Sequence, residues 1–280
     1  MHHLVGLFAL FFLLADSAES DSPTAFISVP SPLHMVISAY GTMGGYSTET
    51  ASRTISGYVT LSNAWRDYYT IGYGNLWLES NDAGGKYYSQ NSLTARTSWL
   101  MSGDRISLAL QYAYLDEGAI QNFSTSQVFH WAGAGAVYWF SPFQYVSAAF
   151  SLSLSEGVLV AGAYRGSFSF DAANGIWATS TLIVNDADFT AKLCSFRQSV
   201  SIPLGNDSFL IASGEVGRRG FYFDDELLII YNQRYVQTGS YALKGIVQAT
   251  DHIYLIPSFE YTLFDDYDVK YGSLGVRVVL

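Results

Sequence analysis

The chain has few side chains suited to acid–base or nucleophilic chemistry. Two of its five histidines stand at positions 2 and 3, His34 falls in the first predicted strand, and His252 falls in a short turn. His130, between Phe129 and Trp131, is the best candidate for a general base, since a hydrolase needs a histidine within reach of a nucleophile or carboxylate. No GxSxG, HExxH or glycine-rich phosphate loop occurs in an apt context. We therefore expect no catalytic residue and interpret His130 as a packed residue among aromatic neighbours.

Metal and cofactor chemistry also lacks its usual ligands. The single cysteine, Cys194, excludes an intramolecular disulfide and a multi-cysteine zinc site, and no CxxCH motif is present for covalent haem. Asp224, Asp225 and Glu226 lack the spaced ligands and glycine of an EF-hand. Gly133 and Gly135 match part of a dinucleotide-binding pattern but continue a predicted strand. We expect no metal and no cofactor.

Composition favours a β protein outside the nucleic-acid-binding class. The 280 residues are 16% aromatic and only 14% charged, with 25 glycines, which is a mixture of strand formers and turn residues. The net charge of −10, without a basic cluster, removes the electrostatic footprint of a nucleic-acid binder.

The N-terminus resembles a secretory leader. An apolar run over residues 4–15 leads into small and acidic residues, which predicts a signal peptide over residues 1–20 with cleavage after Ala18 or Ser20. The run is too short for a membrane-spanning helix, which needs about 20 apolar residues. The alternative is an N-terminal strand or anchor helix, because the run is not preceded by Lys or Arg.

Strict alternation of apolar and polar residues dominates the rest of the chain. One segment places Ile106, Leu108, Leu110, Tyr112 and Tyr114 on one parity, and another does the same with Val146, Ala148, Phe150, Leu152 and Leu154. The opposite parity carries mainly Ser, Ala and Gln rather than charged residues. A soluble sandwich normally carries charges on its polar face. Alternating segments of about 10 residues with aromatic ends are instead typical of a transmembrane β-barrel.

Turn residues divide the chain into strands. Short turns are predicted at 63–67, 102–103, 141–142, 172–175, 204–207 and 251–252, and they alternate with connections at 44–50, 81–85, 116–123, 156–157, 185–188, 220–239 and 265–267. This arrangement predicts an all-β, antiparallel up-and-down transmembrane β-barrel of about 14 strands, with 12 or 16 as alternatives. The stretch 221–235 could extend the strands or form a folded hairpin.

The last strand carries the most specific motif. Ser273, Gly275, Val278 and Leu280 form a polar-x-Gly-x-x-apolar-x-apolar ending. This ending resembles the assembly signal of bacterial outer-membrane barrel proteins, although the common form ends in Phe or Trp. The final strand of a soluble β protein is the alternative. The resemblance is to the class rather than to one family.

That resemblance carries expectations about location and partners. It implies a periplasmic segment over residues 21–32 and a barrel over residues 33–280 in the outer membrane of a Gram-negative bacterium. The implied partners are outer-membrane lipid, lipopolysaccharide and the outer-membrane assembly machinery. The barrel must close, because an open edge in hydrocarbon would leave backbone groups unpaired.

Strand parity assigns charged residues to the interior. The predicted pore-lining residues are Arg96, Arg165, Arg197, Glu215, Lys244, Glu260 and Arg277. Basic residues outnumber acidic ones in this set, so we expect a preference for anions or neutral solutes. The alternative is that pairs such as Arg165 with Glu215, or Lys244 with Glu260, are salt bridges that brace the wall.

Acidic residues concentrate near the longer connections. Glu79, Asp82, Asp116, Glu117, Glu156, Asp186, Asp188, Asp224 to Glu226, Asp265, Asp266 and Asp268 lie in or beside them. A functional interpretation is divalent-cation bridging to phosphate-bearing surface lipids or exclusion of anionic macromolecules. The alternative is that these are solvated loops.

Three functional hypotheses follow. The first is a porin-like channel for passive passage of ions or small polar solutes. The second is a structural or export barrel that anchors or insulates a periplasmic or exported partner. The third is an outer-membrane hydrolase that uses His130.

Overall fold

The computed structural model describes residues 34–64, 67–80, 85–101, 105–119, 127–141, 144–155, 158–173, 175–187, 191–205, 207–220, 222–224, 229–231 and 236–280. The predicted leader and the segment 21–32 lie outside the described residues. Within the described part, no helix is long and apolar enough to cross a bilayer. The strands of this part are β1 (His34–Tyr46), β2 (Thr50–Ala64), β3 (Asp67–Ser80), β4 (Gly85–Leu100), β5 (Ile106–Ala119), β6 (Gln127–Trp139), β7 (Tyr145–Ser155), β8 (Val158–Ala173), β9 (Ile176–Ala187), β10 (Ala191–Gly205), β11 (Ser208–Arg219), β12 (Tyr222–Asp224), β13 (Ile229–Tyr231), β14 (Gln237–Thr250), β15 (Ile253–Phe264) and β16 (Asp268–Val279).

Fourteen of the described strands close into one barrel, in which β1 to β11 and β14 to β16 each pair with antiparallel neighbours. The seam joins β1 to β16, where Tyr40 faces Gly275. The Leu280 amide donates to the Met35 carbonyl at 2.8 Å. The first and last strands therefore meet at one rim, called here the terminal rim; the opposite rim is the loop rim. Closure leaves no open sheet edge in the wall, and the predicted fold class and strand number are confirmed.

The wall has an apolar outer face and a polar inner face. On β5, Leu110 is 51% exposed on the outside, whereas Gln111 is 5% exposed on the inside. On β7, the same contrast separates Phe150 from Ser151. Successive side chains of a strand point to opposite faces, so the alternation predicted for these two segments is confirmed.

Several strands run further than their turn residues predicted, among them β1, β5, β9 and β14. Asp116 and Glu117 were expected in a connection but continue β5, opposite Val128 and Gln127 of β6. Asn185 likewise continues β9 opposite Leu193. Near a rim, polar side chains no longer meet hydrocarbon, so the backbone ladder continues beyond the apolar band.

The ambiguous stretch after β11 contains a separate hairpin. Strands β12 and β13 pair only with each other among the described strands, with Tyr222 opposite Tyr231. This arrangement corresponds to the folded-hairpin alternative and leaves the barrel strand count at fourteen in the described part of the chain.

Many aromatic side chains lie on the outer face, both near the rims and at mid-strand. At the terminal rim, the Trp99 indole donates to the Tyr69 hydroxyl at 3.2 Å. Near the middle of β5, the Tyr112 hydroxyl lies 2.8 Å from Nδ1 of His130 on β6. The rings near the rims agree with the aromatic residues expected at the interfaces of a membrane barrel.

Candidate functional site in the barrel interior

The residues predicted to face the interior lie on the inner face of their strands. They are Arg96 on β4, Arg165 on β8, Arg197 on β10, Glu215 on β11, Lys244 on β14, Glu260 on β15 and Arg277 on β16. All except Arg96 belong to the arc from β8 to β16, called here the charged half of the wall. Whether these residues line a permeation pathway stays a prediction.

Glu215 organises an ion-pair network in the charged half. Its Oε2 atom lies 3.0 Å from Arg197 Nε and 3.0 Å from Arg219 Nη1. Arg219 Nη2 also donates to Gln237 Oε1 at 2.8 Å. Glu215 and the Arg219 side chain are both only 2% exposed. The network therefore joins β10, β11 and β14 by charge-assisted hydrogen bonds in a site shielded from water.

The expected alternative salt bridges are not the pairs that form. Among the described residues, Glu215 pairs with Arg197 and Arg219 rather than with Arg165. Glu260 accepts a hydrogen bond from Thr262 Oγ1 at 3.0 Å. Lys244 faces Ser258 in the register. Pairing follows cross-strand proximity, which places Arg197 directly opposite Glu215.

Sequence reasoning did not single out Arg219, although it shares the inward parity of Glu215, four residues earlier, because it directly precedes the predicted connection 220–239. A bulge lies between these two residues. Gly217 has φ 111°, and a Cβ placed on it would lie 2.5 Å from the Cys194 carbonyl oxygen. The register shifts between Val216 and Arg219. Glycine readily adopts this backbone conformation, and such glycines are typical of β-bulges. The parity that Arg219 shares with Glu215 was the available signal.

The bulge also directs the chain across the mouth of the barrel. Arg219 lies on the inner face, and the Gly220 amide donates to Asn185 Oδ1 on β9 at 3.1 Å. Farther along, β12 lies beside β8, within 8 Å between Cα atoms. Since β8 is separated from β11 by β9 and β10 in the wall, the hairpin spans part of the mouth over the charged half.

The opposite half of the interior carries an apolar cluster among polar residues such as Thr94 and Gln111. Ala113 and Leu115 of β5 pack with Phe129 and Trp131 of β6, and Tyr58 of β2 packs against them. Leu115 is fully buried and Trp131 is 2% exposed. Sequence reasoning singled out His130 in this segment, whereas its two neighbours, Phe129 and Trp131, are the residues that face inward. Their parity, which they share with Gly133, was the sequence signal for this orientation.

Inward-facing tyrosine rings lie over glycines of the neighbouring strand. A Cβ on Gly72 would collide with the Tyr58 ring, and a Cβ on Gly275 would collide with the Tyr40 ring. The rings of Tyr40 and Tyr58 are themselves in edge contact, 5.9 Å between centroids. The glycine of the C-terminal motif therefore leaves space for an aromatic side chain that crosses the seam.

The other residues of that motif have distinct positions. Leu280 is 60% exposed on the outer side, and Val278 has the same outward parity. Ser273 faces inward, with its hydroxyl hydrogen-bonded to that of Ser258. This distribution agrees with the predicted parity of the strand; recognition by assembly machinery stays a prediction.

His130 and Cys194 face away from the interior. The ring of His130 contacts Tyr114, with 5.5 Å between centroids, in addition to its bond with Tyr112. Cys194 is exposed on β10, as expected for an outward-facing small residue. Among the described residues, no group of three or more His, Cys, Asp or Glu side chains could hold a metal ion.

No protein-family model and no curated protein match this chain. Solved structures do match. The toluene transporter TodX of Pseudomonas putida has a TM-score of 0.54 at 7% identity, over 90% of this chain and 89% of TodX. The ΔS2S3 mutant of TodX, described as a monoaromatic hydrocarbon channel, has a TM-score of 0.58 at 6% identity and 90% coverage of both chains. Omp33 of Acinetobacter baumannii has a TM-score of 0.51 at 9% identity, over 89% of this chain and 99% of Omp33. The chain therefore has the fold of the bacterial outer-membrane β-barrels, the class that its C-terminal strand resembles.

Proposed function

We propose that the chain is an outer-membrane channel for passive passage of ions or small polar solutes in a Gram-negative bacterium. The observation that carries this proposal is the contrast between the two faces of a closed wall. The outer face is apolar, whereas buried inward residues include Thr94, Gln111, Ser151, Arg165, Thr181 and Glu215. A polar interior in a membrane barrel is suited to water and polar solutes.

The inner charges support a preference for anions. On the inner face, Arg96, Arg165, Arg197, Arg219, Lys244 and Arg277 outnumber Glu117, Glu215 and Glu260. The hairpin β12–β13 over the mouth supports a small conductance rather than that of a wide general porin. No catalytic step is assigned to the protein.

Single-channel recording in a planar bilayer tests the proposal. The refolded chain should give stable channel openings. In a salt gradient, the sign of the reversal potential should show that anions permeate better than cations. Arg165→Gln should reduce the anion preference. Arg105→Gln, at an exposed position just before β5, should not. A folded, heat-modifiable barrel that never conducts would contradict the channel and favour the barrel that sheathes or exports a partner.

The apolar cluster on the inner face of β5 and β6 supports a second candidate, passage of apolar aromatic solutes. TodX is described as a monoaromatic hydrocarbon channel, and the cluster of Tyr58, Leu115, Phe129 and Trp131 offers rings to such a solute here. Uptake of toluene into proteoliposomes that falls with Trp131→Ala, at unchanged ion conductance, would favour this candidate.

A further inference from the structure

Two cations on the inner face lie near each other without a counter-charge. Lys244 on β14 and Arg277 on β16 form no ion pair and no hydrogen bond in the described part of the chain. Arg277 is close enough for its charge to act on Lys244, so the two groups repel each other. Repulsion between like charges is stronger in the interior of a protein than in bulk water, because the dielectric is lower. The pair therefore creates a local positive potential that an anion would neutralise.

The closest inner-face carboxylate in the register is engaged on its other side. Glu260 lies one inward position nearer the loop rim than the row of Lys244, opposite Ala242. It accepts a hydrogen bond from Thr262, which lies nearer still to that rim. The cations whose charges act on Glu260 are Arg219 and Arg197. Glu260 thus belongs electrostatically to the network around Glu215 and leaves Lys244 uncompensated.

Two further carboxylates lie in turns at the terminal rim. Asp207 separates β10 from β11, and Asp251 separates β14 from β15. Their charges and that of Arg277 act on Tyr254, which pairs with Arg277 in the register. Both carboxylates are exposed to solvent, and neither forms an ion pair with Arg277 among the described residues. Exposed charges in turns are screened by water and salt and compensate an inner-face cation only weakly.

Register places two hydroxyl groups beside the cations. Lys244 pairs with Ser258, and Ser258 pairs with Ser273. The two serine hydroxyls are hydrogen-bonded to each other, so one of them retains a proton that it can donate. Arg277 lies four residues beyond Ser273 on the same face of β16. Strand spacing and rise put the Cα atoms of Lys244 and Arg277 about 16 Å apart, a separation that two long side chains and one small anion can span.

The space between the cations has an apolar floor. Ile256 lies there, opposite Gly275, and is 1% exposed. The Tyr40 ring lies over Gly275, where a Cβ would collide with it, and bounds the space on the side of β1. An apolar residue and an aromatic ring leave less room for water around the cations, which strengthens their attraction for an anion. We call this space the seam site; it is bounded by Lys244, Arg277, Ser258, Ser273, Ile256 and Tyr40.

We propose that the seam site binds a small oxyanion with two negative charges, such as inorganic phosphate, during its passage through the barrel. Ammonium, guanidinium and hydroxyl groups are the donors that phosphate oxygens accept. A dianion compensates both cations, whereas a monovalent anion leaves one charge uncompensated. The passage of the anion rests on the proposed channel function, but binding to the site does not.

Phosphate binding to the refolded full chain tests the proposal. Broadening of the phosphorus NMR line of inorganic phosphate reports binding in a phosphorus-free detergent and a mildly alkaline buffer, in which phosphate is a dianion. We expect saturable broadening that chloride reverses at least about tenfold less effectively than sulfate does, since one charged hydrogen bond contributes about tenfold in affinity. Glycerol 3-phosphate as a competitor distinguishes the two sources of this chemistry. Its competition identifies phosphate esters as ligands, and its failure to compete restricts the site to the free ion; either result upholds the site.

A double substitution assigns the binding to the seam site. K244Q/R277Q should weaken phosphate binding by at least about tenfold. K192Q/R105Q is the matched control, because it removes two exposed cations that lie away from the seam site, and it should bind as the wild type does. Heat-modifiable migration in gels verifies that each variant is folded.

Three results would overturn the proposal: no phosphate binding by the folded wild type, equal competition by chloride and sulfate, or equal binding by K244Q/R277Q and the wild type. Planar-bilayer recording separates this outcome from the proposed function. A barrel that conducts but does not bind phosphate contradicts the seam site alone, whereas one that binds phosphate but never conducts contradicts the channel alone.

Discussion

Replacing Glu215 by glutamine tests whether the inner ion-pair network holds the wall together. The substitution keeps the side-chain shape but removes the negative charge that Arg197 and Arg219 share at 3.0 Å each. Both guanidinium groups then remain in the interior without that counter-charge.

The expected loss in the free energy of unfolding depends on how deeply the Arg197 and Arg219 side chains are buried. Removing one partner of a buried ion pair costs about 3–5 kcal/mol, because the remaining charge stays desolvated. The glutamine amide oxygen still accepts a hydrogen bond, and the Arg197 side chain is 18% exposed, so we expect about 3 kcal/mol. With a urea dependence of about 3 kcal/mol per molar, the unfolding midpoint should fall by about 1 M.

Reversible urea unfolding in lipid vesicles, followed by tryptophan fluorescence, measures this shift. Glu260→Gln is the matched control, because that inner-face carboxylate is hydrogen-bonded by Thr262 and forms no ion pair among the described residues. We expect the control to change the midpoint by less than half as much. A Glu215→Gln protein within about 0.5 kcal/mol of wild type, or an equal loss in the control, would refute the structural role of the network.

Three further substitutions test other features of the molecule. Gly217→Ala forces a side chain onto a residue with φ 111°, so unfolding should become easier by about 1–3 kcal/mol and single-channel conductance should change as the hairpin moves; unchanged conductance would argue against a hairpin in the pathway. Gly275→Ala should slow formation of the heat-modifiable barrel, because its Cβ collides with Tyr40, whereas Gly272→Ala, with nothing within 4 Å, should not; equal rates would remove the seam contact from assembly. His130→Ala should leave folding and conductance unchanged, and loss of a measured lipid or peptide hydrolysis would instead revive the hydrolase hypothesis.

Alternation in the sequence was sufficient to predict the barrel. The side of the wall on which Leu110 or Ser151 lies can be inferred without knowing the neighbouring strand, because the side chains of a strand return to the same face every two residues. Turn residues then divided the chain, and the resulting count agrees with the fourteen barrel strands of the described residues. The predicted boundaries were wrong where polar residues, such as Asp116, continue a strand beyond the apolar band.

Parity also indicated which charged residues face inward, but it could not indicate which of them meet. Lateral pairing depends on the register between strands, which no local pattern specifies. A pair of Glu215 with Arg165 was thus one of the alternatives, whereas the register brings Glu215 to Arg197. Arg219 has the same inward parity as Glu215 but was not included, because it directly precedes a predicted connection.

The sequence by itself therefore determined the class of fold, the two faces of the wall and the placement of charge on the inner one, since these follow from local periodicity. Only the tertiary structure decided how the interior is divided. Closing the sheet collects the charges of β8 to β16 on one side, and it brings the rings of β2 and β6 together on the other. That division arises from contacts between strands distant in the chain, which exist only once the barrel has closed.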